Sequence, residues 1–538
     1  MQLSYQGIQD RTAWEKAGVQ LPSFDWKAMA EETARKPVWV HFGAGNIFRG
    51  FIAALQQRLL NSGDATSGII AAETFDYEII DKIYDPHDSM TLMVSLRPDG
   101  TTDREVIASI ARGVRADASN ASEWETLKSI FRAPSLQMIS FTITEKGYAL
   151  RNMKGELTPP AAADMEKGPA HATHAMGVVA AMLLERYQAG AAPLAVVSMD
   201  NCSHNGEKLK AGVVEMVQAW EKAGFVDAGF VAYVQDESRV SFPWSMIDKI
   251  TPRPADIIEK QLTEAGFEDM APVITSRHTY IAPFVNAEVP QYLVVEDRFP
   301  NGRPALEKAG VYMTDRETVN NTERMKVTTC LNPLHTALAV YGCMLGYNLI
   351  ADEMKDTDLV TLIQRIGYDE GLPVVVDPKI LSPRAFIDEV IGQRLPNVFM
   401  PDTPQRIATD TSQKIPIRFG ETIKSYMADP ARDPASLNAI PLALAGWLRY
   451  LLGLDDNGQP MEVSPDPMLA QLQKELDFVV FGDPASVDAR LDPVLSNPLL
   501  FGVNLFDAGL AEKVRALLAE EVAGPGAVRA TLKKHLQA

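Results

Sequence analysis

The sequence predicts an α/β chain, in which an N-terminal Rossmann-type dinucleotide-binding domain (residues 1–318) precedes a mostly α-helical C-terminal domain (residues 319–538). Three observations carry this reading. A strand, a glycine-rich turn and a helix follow one another in PVWVHFGAGNIFRGFIAALQQRLL (37–60), a βα rhythm continues to about residue 223, and strand signals thin out from about residue 320.

A polar leader runs to about Lys36. In GAGNIFRG, Gly43 and Gly45 let the backbone approach a pyrophosphate, whose charge the N-terminus of the following helix favours. Asn46, Phe48 and Arg49 of the same turn join the glycines as candidate cofactor contacts. The fingerprint is partial, because its sixth position is Phe48 and the next glycine is Gly50. An ordinary tight βα turn is the plain alternative. Its placement between a Val-rich strand and an amphipathic helix favours the nucleotide reading.

The next strand, GIIAAETFD (68–76), ends in Glu73 and Asp76. An acid there accepts hydrogen bonds from adenosine ribose hydroxyls and repels a 2′-phosphate, so NAD is expected rather than NADP. Strand geometry favours Glu73. Further β-like segments at 105–112, 135–143 and 193–198 alternate with helical stretches near 123–131, 172–188 and 206–223, which implies a parallel sheet. The strand opening LAVVSMDNCSHNGEKLKAGVVEM (194–216) puts Asp200, Asn201 and Asn205 in the loop at its carboxyl end, where open α/β sheets bind ligands. Glu145 lies just after an apolar strand and serves either the site or a plain ion pair. Asp248, in SMIDKI, either faces the nicotinamide ribose or caps a turn.

In the second domain the patterns DLVTLIQRIGY, PRAFIDEVIGQRL and IPLALAGWLRYLLGL read as helices. Its most informative stretch is ERMKVTTCLNPLHTALAVYGCMLGY (323–347), with one lysine, two thiols and one histidine. Asn332 and Pro333 suit a helix N-cap and first turn, which makes a core helix the plain reading. A lysine heading so apolar a segment suits proton transfer, because desolvation disfavours the ammonium. Hydride exchange at a carbinol carbon needs a group for the hydroxyl proton and donors for the developing alkoxide. Lys326 takes the first task, with Asn201 and Asn332 as the donors. No Cys/His cluster has zinc-ligand spacing, so a metal-free site is expected.

Composition narrows the partners. Apolar content of 46% and charged content of 22% are those of a globular protein, and a net charge of −19 disfavours nucleic acid and anionic membrane surfaces. Three cysteines form no paired framework and the N-terminus lacks a signal-peptide pattern, so the expected location is the cytoplasm. The apolar run 331–350 contains Asn332, Pro333, His335 and Asn348 and reads as a buried helix rather than a membrane span.

The motifs HFGAGNIFRGF, SFTITEKGY, VSMDNCSHNG, FPWSMIDKITP, QRIATDTSQKIP and LALAGWLRYLLGLDDNG, with the 323–335 segment, resemble the polyol-specific long-chain dehydrogenase/reductases, the mannitol dehydrogenase family. The resemblance implies that Lys326 is the catalytic lysine, that Asn201 and Asn332 hold the reacting oxygen and that His335 binds substrate. It adds Glu323, Arg406 and Lys414 as substrate contacts and favours Asp76 for the ribose. It also implies metal-independent, NAD-linked interconversion of D-fructuronate and D-mannonate, with oxidation of mannitol or another polyol as the alternative and a non-catalytic NAD-binding sensor as the rival. One departure has a structural consequence. The family pattern places Asn five and His eight residues after the lysine, whereas here the intervals are six and nine, and Pro follows Asn. At about 100° per residue, nine residues turn Lys326 and His335 to opposite faces of a helix. A π-type bulge or an interrupted turn is therefore expected between Val327 and Pro333.

Overall fold

Trp39–Phe42 (β1), buried along its length, is an inner strand of a six-stranded sheet. The others are Ile69–Glu73 (β2), Ile110–Arg115 (β3), Met138–Phe141 (β4), Leu194–Ser198 (β5) and Val240–Ser241 (β6). All pairs are parallel, in the order β3-β2-β1-β4-β5-β6. This computed structural model describes residues 1–537. It divides into two units, Met1–Leu96 with Thr101–Asn320, and Arg97–Gly100 with the residues from Asn321 onward.

In the first unit both faces of the sheet are covered, which is why its strands read as apolar runs. Trp39, Ile69, Met138 and Val197 join one core with Leu55 and Leu59 of α1 (Ala53–Ser62). Val40, Ile70, Ile139 and Val196 join the other with α2 (Ala121–Arg132), α3 (Ala175–Gln188) and α4 (Asn205–Lys222). Strand order reverses between β1 and β4, so the crevice at their carboxyl ends is where this topology accepts a ligand.

One sequence reading needs correction. The segment 105–112 is not one strand: Thr102–Ile107 belongs to a separate four-stranded sheet, and β3 begins at Ile110. The join is pinned to the α1 region, where Ala108 N donates to Gln57 and Ser109 Oγ to Ala53 O, both at 2.6 Å. The leader is ordered too, with helices at Arg11–Lys16 and Trp26–Arg35, and with Val19–Gln20 pairing in parallel with Arg104–Glu105. Its hydrophobic residues are too sparse to show a period.

The second unit is helical. After α5 (Arg316–Met325), which crosses the division, come α6 (Asn332–Leu345), α7 (Glu421–Ala428) and α8 (Ala439–Tyr450). α6 packs on α8, where the Tyr341 hydroxyl donates within hydrogen-bonding distance of Leu442 O and Glu521 Oε1, and where a Cβ on Gly446 would lie 2.5 Å from the Tyr341 ring. Gly346, at φ +80°, ends α6 in a left-handed cap.

Arg186 ties α3 to the edge of the first sheet. Only 1% exposed, it donates to the carbonyls of Phe131, Ala133, Leu136, Ala192 and Pro193. Arg186→Leu is expected to lower the unfolding free energy by about 3 kcal/mol, because it strands buried carbonyls; urea denaturation measures this, and a loss below about 1 kcal/mol would contradict the pinning role.

Candidate active site

The turn after β1 is built so that only glycine fits. Gly43 has φ +102°, and a Cβ there would lie 2.4 Å from Thr142 O, whereas the space at Gly45 is open. The turn leads into a π-helical stretch, Phe48–Ile52. The Phe48 ring is buried and stacks on His41 at 4.1 Å. Arg49 is buried as well, donating to Asn46 Oδ1 at 2.8 Å and Ala282 O at 2.9 Å, and burial lowers its pKa to about 10. These two side chains brace the turn from inside. Arg49 Nε is left without a partner among the described residues.

The two acids at the end of β2 also divide. Glu73 Oε1 accepts from the amides of Thr74, Phe75 and Asp76, and Oε2 from Ala44 N at 2.9 Å. Burial raises its pKa against those hydrogen bonds. Glu73 thus clamps the glycine turn to β2. Asp76 Oδ2 accepts from Thr275 Oγ1 at 2.6 Å, while its buried Oδ1 has no partner among the described residues. Beyond β2 and β3, a cavity of about 630 Å³ is lined by Phe75, Tyr77, Asp117 and Arg277 among others. Phe75 is 63% exposed there, with the Arg277 guanidinium 5.1 Å over its ring. An open glycine turn, an orphaned carboxylate oxygen and an aromatic platform fit the phosphates, ribose and base of a dinucleotide.

At the end of β5, Asp200 and Asn205 are structural. Asp200 accepts from Ile143 N and Thr144 N, both at 2.9 Å, and from the Tyr148 hydroxyl; burial raises its pKa. Asn205 is buried and bridges Asp200 O to Ser245. Between them Asn201 stands in an exposed turn. Glu145 pairs with Lys208 at 2.6 Å, the plain ion-pair reading. Asp248 is buried at the end of a strand that pairs with Tyr292–Glu296.

In the second unit the expected irregularity is present. α5 runs directly into a π-helix, Lys326–Cys330, in which Leu331 N donates to Lys326 O at 3.1 Å, five residues back. Leu331, at φ −129° and ψ −62°, breaks the path, and α6 starts at Asn332 with Pro333 in its first turn. Pro333 supplies no N–H to the preceding turn. The Thr328 carbonyl takes a bond from Thr422 Oγ1 at 3.3 Å instead. A π turn holds one residue more than an α turn, so it absorbs the added residue in the six and nine intervals. Lys326 lies at its start, 3% exposed, with Glu323 one turn earlier on α5. The Asn332 side-chain amide makes no hydrogen bond among the described residues.

His335, on the first turn of α6, has its Nε2 3.6 Å from Asp402 Oδ2, too far for a hydrogen bond. Burial lowers its pKa to about 4; Asp402 opposes this, while Arg418, Arg406 and Arg394 add to it. Arg406 is 62% exposed and pairs with Asp402. Lys414 donates to the carbonyls of Ile407 and Thr409, and burial, with Arg418 nearby, lowers its pKa to about 8. Asp402 and Arg418 were not singled out from sequence. Arg418 follows Lys414 by four residues in QKIPIR, a repeat of cations on one helical face that could have marked it.

Comparison with known proteins gives one answer along the chain. The mannitol dehydrogenase Rossmann domain matches residues 38–308 and the mannitol dehydrogenase C-terminal domain residues 318–519. The D-mannonate oxidoreductase of Thermotoga maritima is 53% identical over 536 residues, 99% of each chain. A substrate-free D-sorbitol dehydrogenase superposes with a TM-score of 0.74 at 25% identity, covering 93% of this chain and 98% of its own. Pseudomonas fluorescens mannitol 2-dehydrogenase, in ternary complex with NAD and D-mannitol, superposes with a TM-score of 0.68 at 25% identity over 100% of both chains. The chain belongs to the mannitol dehydrogenase family and is an oxidoreductase.

Proposed function

We propose that this protein uses NAD to interconvert D-fructuronate and D-mannonate. The observation that carries the chemistry is the buried Lys326 at the start of a π turn that accommodates the spacing to Asn332 and His335. The name of the Thermotoga maritima relative supports the substrate, and the NAD in the Pseudomonas fluorescens complex supports the cofactor. Hydride exchange is the chemistry that bound NAD supplies. The chain's own groups hold the oxygen and move the proton. In reduction the Lys326 ammonium gives its proton to the developing alkoxide, and in oxidation the amine takes the hydroxyl proton. Asn332 and Asn201 act as amide donors to that oxygen, and neutral His335 offers a hydrogen bond to a neighbouring hydroxyl. Glu323, Arg406, Lys414 and Asp248 are secondary candidates for contact or positioning.

Asp76 is the proposed ribose acid, supported by its unpartnered oxygen. Cys202, Cys330 and Cys343 form no disulfide, which suits a reducing compartment such as the cytoplasm. Among the described residues no helix is long and apolar enough to cross a membrane.

Purified protein should oxidise NADH faster with D-fructuronate than with D-fructose and use NADH better than NADPH. A clear preference for fructose moves the protein to the polyol branch, and NADH binding without turnover on any ketose or ketouronate makes it a sensor. Lys326→Ala is expected to lower kcat by about two to four orders of magnitude with NADH affinity little changed; near-normal turnover removes the lysine from the chemistry.

The imidazole makes a separate prediction. With a folded pKa of about 4 against 6.5 unfolded, His335 takes up its proton on unfolding across that interval, so its share of stability falls as pH drops from 6.5 towards 4. His335→Gln should lose stability less steeply than wild type over that range in urea titrations at several pH values. Parallel curves would mean that the imidazole is not held neutral.

A further inference from the structure

The cations near His335 differ in how their charge is met. Arg406 is exposed and neutralised by Asp402. Lys414 gives two of its three donors to backbone carbonyls. Arg418 has neither arrangement. It sits on a second π-helix, Pro416–Gly420, which packs against the Lys326–Cys330 turn. Its Nη1 donates to the hydroxyl of Thr336, the neighbour of His335. No carboxylate among the described residues lies within ion-pair distance of it, and its other donors are not among the buried, unpartnered atoms.

Arg418 is half-buried, and a guanidinium partly withdrawn from water with no anion beside it is less well solvated than one on the open surface. Burial lowers the pKa of Arg418 to about 10, and its charge lowers the pKa of both Lys414 and His335. Such a charge is tolerable where a ligand brings the missing anion. The planar fork of arginine matches a carboxylate through two parallel N–H···O bonds, which a lysine point charge does not reproduce. Thr336 fixes one end of the fork beside His335, which leaves the other donors for the ligand.

We infer that Arg418, rather than the neutralised Arg406, is the specificity-determining residue that grips the carboxylate of a sugar-acid substrate. This rests on the sugar-acid reading proposed above. A neutral ketose has no group to fill the position, so the same arginine disfavours it by staying unpaired.

The test uses the full chain as wild type, Arg418→Gln and Arg418→Lys, with kcat and KM measured for D-fructuronate and D-fructose and NADH affinity measured by fluorescence titration. Arg418→Gln is expected to raise KM for D-fructuronate by about 10- to 150-fold, the worth of charge-assisted hydrogen bonds, while KM for D-fructose moves less than about threefold. Arg418→Lys, with charge but no fork, should fall between. Equal losses on both substrates mean a structural role, and an unchanged KM for D-fructuronate removes Arg418 from recognition; either overturns the assignment. If Arg418→Gln fails to bind NADH as wild type does, Arg418→Lys decides by the same criterion. A wild type that reduces D-fructose but not D-fructuronate overturns the sugar-acid reading and Arg418's role together, whereas a wild type that prefers D-fructuronate with an indifferent Arg418→Gln leaves the reading standing without Arg418.

Discussion

The hydrogen bond from Leu331 N to Lys326 O is the constraint on which the second unit's chemistry depends. It closes a ring one residue wider than an α turn. Without it the helix axis could continue, but Asn332 and His335 would be rotated by about 100° relative to Lys326. The wide ring is stable here because its neighbours are arranged for it. Pro333 removes a donor that a continuous helix would need, and Thr422 supplies a partner to the Thr328 carbonyl. Downstream, α6 is held against α8 by Tyr341, so the distortion stays within Lys326–Leu331. Pro416–Gly420, which bears Arg418, is another π-helical turn, with its proline at the start rather than beyond the end.

The electrostatics of this region follow from unequal burial. The chain carries a net charge of −19, yet Arg394, Arg406 and Arg418 all bear on His335, and Asp402 is the one acid that opposes them. Water would screen these charges on an open surface. Burial of the imidazole and of Lys414 is the larger effect, and these charges add to it, lowering the pKa of His335 to about 4 and of Lys414 to about 8. A local cluster of cations on a strongly acidic protein is also the arrangement by which an anionic substrate can be accepted at all.

The first sheet was readable because its signals are local. A glycine turn between an apolar strand and a helix, repeated βα spacing and mostly apolar strands lead to the observed parallel sheet without knowledge of distant contacts. The six and nine spacing was equally informative, because helical geometry converts an added residue into a required distortion. Other features depended on long-range packing. The segment 105–112, EVIASIAR, is mostly apolar, and nothing in it marks the corner at Ala108 and Ser109, where two sheets part company over α1. Phe48, Arg49 and Glu73 carry the residue types of a cofactor site, and only the buried partners they meet assign them to the scaffold. Arg406 and Arg418 look alike in sequence, since a neutralising Asp402 becomes visible only once the helix is formed.

A single criterion separates scaffold from ligand-facing groups in both units: what hydrogen-bonding capacity the fold has left unspent. Glu73, Asn205 and Arg186, with half-buried Asp200, are polar and answered by backbone or side-chain partners. Asp76 Oδ1, the Asn332 amide, His335 Nε2 and the Arg418 fork retain capacity that the described residues do not use. Unpartnered oxygens also occur on Glu353 and Glu521, but there burial raises the carboxyl pKa, to about 8 for Glu521, so a bound proton removes the charge and no ligand is called for. A guanidinium has no such escape at physiological pH, even with its pKa lowered to about 10. Of Arg406, Lys414 and Arg418, the last is the one with neither a carboxylate nor backbone carbonyls as partners among the described residues, and it lies on the turn that packs against the Lys326–Cys330 turn.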